Sequence, residues 1–216
     1  QNKFNAIPGH PISYWVSENM TATFSNLIGD NHAVIAGIST GDNSRFLKLW
    51  TEINYSGFGT KWSSIAKGGN FRRWYGNLEY LINYTDTSII KMERLAGFRH
   101  DGSKYYYEPM ISWSKITSGK ISVRKYENTV FDSSSPAIIP YENQLLGFLN
   151  TIVASQIIGI INPTLNSPPG YISKIPNPKQ ENNVEINRIV EDCIRLTKKD
   201  WNSYELSWDL RKHPLV

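Results

Sequence analysis

Apolar positions along this chain switch several times between the spacing of a helix and the alternation of a strand. Near the start, Tyr14, Trp15, Met20, Phe24 and Leu27 stand near helical spacing, which predicts a short helix within Pro11–Ile28. Ala33–Ile38 is a short β-like run that ends in the turn Ser39-Thr40-Gly41-Asp42-Asn43, and Phe46–Trp50 continues as strand. Residues 51–70, with Gly57, Gly59, Gly68 and Gly69, predict turns. Glu79–Tyr84 reads as a strand and Ile89–Gly97 as a short helix, followed by a charged loop to Tyr105. Tyr106–Trp113, Ile121–Tyr126, Thr129–Phe131 and Ala137–Ile139 read as strands, with Val123 and Phe131 facing inward.

The clearest helix is Asn143–Ile161, where Leu145, Leu146, Leu149, Ile152, Val153 and Ile157 contribute to a broad apolar face. Pro163 ends it. Ile172–Ile175 predicts a closing strand. A second amphipathic helix is predicted from Val184 to Lys199, and Trp201, Tyr204 and Trp208 extend its spacing. The order predicts an α+β fold: a mixed β-sheet domain with a long amphipathic helix and a C-terminal helix. Residues 1–30 read as a helical connector, 31–178 as the main domain and 179–216 as a C-terminal helical segment.

Composition narrows the class. With 216 residues the chain can bury a substantial core without disulfides, and its charged share of 19% is ordinary for a globular protein. Cys193 is the single cysteine, which excludes a disulfide framework and a cysteine-based zinc site, so a reducing cytoplasm is expected. The four histidines show no ligand spacing, so no metal is expected. No signal peptide is read at the start, and Leu145–Ile161 is too polar and short to span a bilayer comfortably, so no membrane is expected. The net charge of +4 is uneven. Residues 61–125 hold twelve Lys/Arg against five Asp/Glu, which leaves +7 there and −3 elsewhere. A central positive segment between near-neutral flanks suits a polyanion footprint; a solvated loop surface is the plainer alternative.

Catalytic signatures are missing. Gly57-Phe58-Gly59 lacks the third spaced glycine and following helix of a nucleotide-binding turn, and Lys67-Gly68-Gly69 lacks the order of a phosphate-binding loop. No acidic residue stands two before a lysine, as common metal-dependent nucleases require, and no Gly-x-Ser-x-Gly elbow occurs. Asn166-Ser167-Pro168-Pro169 departs from the Asn-Pro-Pro-aromatic motif of adenine methyltransferases by its serine and by Gly170. A complete small enzyme is therefore not expected.

Six separated blocks carry a resemblance: IPGHPISYWVSENM, GISTGDNSRFLKLW, KGGNFRRWYGNLEYLINY, WSKITSGKISVRKYENTVFDSSSPAI, LLGFLNTIVASQIIGIINPTLN with GYISKIPNP, and DWNSYELSWDLRKHPLV. Their order and distances resemble the adenine-specific DNA methyltransferases of BREX phage-defence systems, the PglX family. The long-helix block with Ile-x-Lys-Ile-Pro also resembles specificity domains of type I restriction subunits and TaqI-like enzymes. The resemblance covers essentially the whole chain and implies a target recognition domain that follows a catalytic domain. It implies no cofactor in this segment and S-adenosylmethionine in the parent enzyme. The parent would methylate an adenine flipped out of a short double-stranded DNA site. The ends at Gln1 and Val216 are then expected to be boundaries inside a longer protein.

The residues expected to meet DNA are Arg72 and Arg73, with Trp74 and Tyr75 packing or stacking beside them. For Trp74, core packing is the stronger reading. The turn holding Thr40, Asn43 and Arg45 offers amides, short polar groups and one cation, and equally suits a simple capped turn. A hydroxyl-rich basic block contains Lys115, Lys120, Arg124 and Lys125 and reads alternatively as an exposed hairpin. The rival reading is a protein-interaction module that docks other defence subunits or is seized by an acidic phage DNA mimic. Where the C-terminal helix packs on the missing domain or on another subunit, Trp201, Tyr204 and Trp208 are expected to be partly exposed in this segment.

Overall fold

In the computed structural model, residues 7–9, 16–178 and 183–211 are described. The Pro11–Trp15 part of the first predicted helix, with Tyr14 and Trp15, lies outside them. In chain order the elements are α1 (Glu18–Ala22), α2 (Ile28–Asn31), β1 (Ala33–Ile35), α3 (Asn43–Phe46), β2 (Leu47–Leu49), β3 (Trp62–Ala66), β4 (Tyr80–Asn83) and α4 (Asp86–Glu93). Then come β5 (Met110–Trp113), β6 (Val123–Tyr126), β7 (Val130–Phe131), β8 (Ala137–Ile139), α5 (Asn143–Leu149), α6 (Ile152–Ile161), α7 (Pro169–Ile172) and α8 (Val184–Trp201). The fold is α+β, as the order of helical and alternating segments predicts.

Among the described residues the strands form two sheets of four. One is antiparallel throughout, in the order β1-β8-β5-β6. The other runs β2-β4-β3-β7, and β7 pairs parallel with β3. The first sheet is buried on both faces, and the two-residue period of a strand sorts its side chains between two cores. Ile111, Trp113, Val123 and Ile138 join α5, α6 and α8 residues such as Leu145, Leu149, Ile157 and Val190. Met110, Tyr126, Ala137 and Ile139 point the other way and join Ile65, Ile82 and Phe131 of the second sheet. Val123 and Phe131 are both buried, as expected.

Three local predictions need correction. Residues 51–70 are not all turn: Trp62–Ala66 is β3, which pairs with β4 and β7 although Ser63 and Ser64 weaken its apolar signal. The helix predicted over 143–161 is a pair, α5 and α6, bent by 70°. Asn150 stops α5 because its side chain accepts from the Val123 amide at 3.2 Å and donates to the Val123 carbonyl at 3.1 Å, while Thr151 caps α6 through the Ala154 amide. Third, Ile172–Ile175 forms no strand; it ends α7 and turns back, with the Ile175 carbonyl accepting from the Ile28 amide at 2.8 Å. Among the described residues no single helix is long and apolar enough to cross a membrane.

Candidate nucleic-acid interface

The loop between β3 and β4 positions most of the basic residues picked from sequence. Gly68 and Gly69 take positive φ and lead the chain away from β3; a side chain on Gly69 would run into Asn77 at 2.9 Å. The loop then lies along the edge strand β6. The Trp74 amide donates to the Val123 carbonyl at 2.9 Å, and the Lys125 amide donates to the Trp74 carbonyl at 2.9 Å. At its start, the Ser114 hydroxyl donates to the Gly69 carbonyl at 3.0 Å. Blocks 67–77, 114–115 and 122–126 thus meet at one edge of the first sheet.

Arg124 is the correction at this edge. It is fully buried and cannot reach an external phosphate. Its guanidinium donates to the Tyr126 hydroxyl (2.9 Å), the Arg72 carbonyl (3.1 Å) and the Ser114 hydroxyl (3.1 Å). It is therefore a strut that ties the loop to β6. Strand alternation puts its neighbour Lys125 on the opposite face, where the ammonium sits over Tyr141 and 3.2 Å from Glu127. The pair cannot act at one surface.

Arg72 and Arg73 also part. Arg72 is held by the end of α8: its guanidinium is 2.9 Å from the Asp200 carboxylate and stacks over Trp201, 4.9 Å from the ring centre. Burial pushes the nearby Glu79 carboxyl up, and the Arg72 charge opposes that. Arg73 lies over the exposed Phe71 ring, and its buried Nε has no hydrogen-bond partner among the described residues. Trp74, at φ 72°, packs against the helical core, in line with the core reading. Tyr75 is under the Lys198 ammonium, and burial followed by the Asp209 charge pushes its hydroxyl up to about 12.

The other picks lie apart. Thr40 is buried and donates to the Asn43 side chain at 2.8 Å, while Asp42 caps α3 through the Arg45 amide. That turn rests on Leu95, and the neighbouring Ser39 pairs with Arg99; Asn43 and Arg45 remain exposed. Lys120 is exposed at the tip of the β5–β6 connection. Lys115 is half-buried at the root of that connection, beside Ser133 and Ser134. The sequence reading did not name Lys67 as a DNA contact; its ammonium is 3.4 Å from the buried Asp132 carboxylate, and its place immediately before two glycines was the available signal.

The C-terminal segment closes over this region. Trp201 is buried, contrary to the exposure expected of a docking aromatic, because it lies under Arg72. Tyr204 is exposed. Trp208 stacks on Phe58 at 4.7 Å and meets Trp50 edge-on at 5.6 Å, and the Trp50 indole donates to the Leu206 carbonyl.

Fold and surface together define an α+β domain with a cation-bearing loop braced against a sheet edge. The chain is similar along its whole length to two adenine-specific methyltransferases. It is 30% identical over 230 aligned positions to adenine-specific methyltransferase BrxX of Escherichia coli O9:H4 (strain HS), and 29% identical over 243 to adenine-specific methyltransferase PglX of Lacticaseibacillus casei (strain Zhang). Both matches take in all of this chain but only 19% and 20% of the relatives, so the chain spans about a fifth of their length. These are the methyltransferases that the six sequence blocks resemble. No family model matches the chain.

Proposed function

We propose that this chain is the DNA target recognition domain of a BREX-type adenine-specific methyltransferase and that it holds duplex DNA for a catalytic domain located elsewhere in the parent protein. The parent would take S-adenosylmethionine and transfer its methyl group to the exocyclic amine of an adenine flipped from the helix. The observation that carries this reading is the meeting of three separate sequence blocks at one sheet edge, in a chain whose whole length matches such enzymes. There Lys67 and Lys115 line one cleft, and Arg73, on the same loop, and Lys120, on the β5–β6 connection, supply further cations. Phosphate contacts of this kind set register and orientation, while base edges set sequence.

Titration of the domain with short duplex DNA at two salt concentrations, followed by fluorescence anisotropy, tests the proposal. Affinity is expected to fall as salt rises, because bound phosphates release counterions. Charge reversal at Arg73 is expected to weaken binding with the fold intact. Salt-independent or absent binding would favour the docking-module reading instead.

A further inference from the structure

Beside the loop root lies a cleft of roughly 190 Å³ lined by Lys67, Gly68, Gly69, Lys115, Ser133 and Ser134. We infer that it is a binding site for a single phosphate group, and, resting on the DNA reading above, that it grips one backbone phosphodiester of a duplex. No residue here was singled out as a phosphate cradle by its sequence order, since the Lys-Gly-Gly run lacks the phosphate-loop pattern.

Four features point to an anion. Among the described residues the Gly68 and Gly69 amides meet no backbone acceptor, and two glycines in succession leave the backbone open to close approach by a ligand. A side chain at Gly68 would meet the Ser134 carbonyl at 3.1 Å and close the cleft from that side. The Lys115 ammonium has no acidic partner among the described residues, and the Ser133 hydroxyl has no hydrogen bond among them. Asp132, the partner of Lys67, is already engaged: one oxygen accepts from the Ser134 amide and the other faces Lys67.

The fourth feature lies behind the wall. Arg124 is fully buried, and among the described residues no carboxylate pairs with it. Its charge is met only by neutral oxygens, one of them the Ser114 hydroxyl that forms the back of the cleft. A buried charge without a counter-charge projects its field into the nearest open space. Here that space already holds Lys115, so the cleft is positive and shielded. Ile116 stands exposed at the mouth, an apolar surface suited to a deoxyribose beside the held phosphate.

The test follows backbone amide resonances of the folded chain during titration with inorganic phosphate at constant ionic strength, then with a mixed-sequence DNA duplex. Saturable shifts confined to residues 68–69, 115 and 133–134 are expected with phosphate. Lys115→Gln is expected to weaken that binding about tenfold and Lys115→Arg to restore most of it. With duplex, the same amides are expected to shift, and Lys115→Gln is expected to lower the slope of log affinity against log salt by about 0.9, the loss of one phosphate contact. Should phosphate bind the cleft while duplex leaves it untouched and binds nowhere, the anion site stands and the DNA reading falls. Should duplex bind without moving these amides, the DNA reading stands and the cleft proposal is overturned. Unsaturable phosphate shifts, equal in wild type and Lys115→Gln, overturn it as well.

Discussion

Single residues at the sheet edges carry unusual demands. A Cβ on Gly37 would sit 1.8 Å from the Phe131 carbonyl oxygen, where Ile38 also donates its amide. Gly37→Ala must push the two segments apart, and a loss of about 3 kcal/mol or more is expected, read from the denaturant midpoint. Arg124→Met removes a buried charge but keeps much of the volume. Tyr126 retains the Gly76 carbonyl and Ser114 retains the Gly69 carbonyl, so the loss falls mainly on the Arg72 carbonyl. A destabilisation on the order of 1–3 kcal/mol is expected, with faster amide exchange in residues 67–77. Tyrosines give the chain an alkaline limit. Burial raises Tyr75 to about 12, and it raises Tyr84, Tyr106, Tyr126 and Tyr141 as well. Their folded pKa values exceed those of the unfolded chain, so the unfolded state releases protons first. Stability is therefore full below about pH 10 and falls as pH rises from there; Tyr75 contributes up to about 1.4 kcal/mol per pH unit between about 10 and 12. Denaturant curves paired with tyrosinate absorbance would show it, and a flat stability above pH 10 would refute it.

At the scale of elements, the break between α5 and α6 shows how one polar residue redirects an apolar run. Both helices are apolar enough to continue as one. Asn150 prefers two bonds to the Val123 backbone, and the chain turns by 70° to keep α5 against β6 and α8. Asn150→Ala leaves the buried Val123 amide without that acceptor, at an expected cost of about 2 kcal/mol in unfolding experiments. Helix α8 meets two tasks. Asn183 caps its start, Val190 seats it on α5, and its far end brings Asp200 and Trp201 to Arg72. Spacing alone shows such a helix; it does not show which of its ends will hold a cation from 128 residues away.

On the whole molecule, the loop 67–77 is the junction between the second sheet, the first sheet and the C-terminal helix. The Arg72–Asp200 pair is partly exposed on the carboxylate side, so its loss changes stability little. Asp200→Asn is expected to cost under about 1 kcal/mol and to strengthen duplex binding about two- to fivefold at low salt, by freeing a cation and removing an acid. Unchanged affinity by anisotropy would show that Arg72 is a brace and not part of the DNA surface.

What the sequence alone determined follows from short-range physics. Short apolar runs marked β1, β2, β4, β5, β6, β7 and β8, and helical spacing marked α4 and α8, because buried elements carry those local patterns. It also placed the positive charge in residues 61–125. Tertiary structure decided the rest. Trp62–Ala66 is a strand because β4 and β7 flank it, not because its own composition demands it. Arg124 is buried because Tyr126, Ser114 and the Arg72 carbonyl converge on it, and no local pattern distinguishes that from an exposed hairpin arginine. The cleft beside Lys115 exists because segments 67–69, 114–116 and 133–134 are joined by long-range hydrogen bonds. Period reports which face of an element is buried; only packing decides which distant charges share a surface.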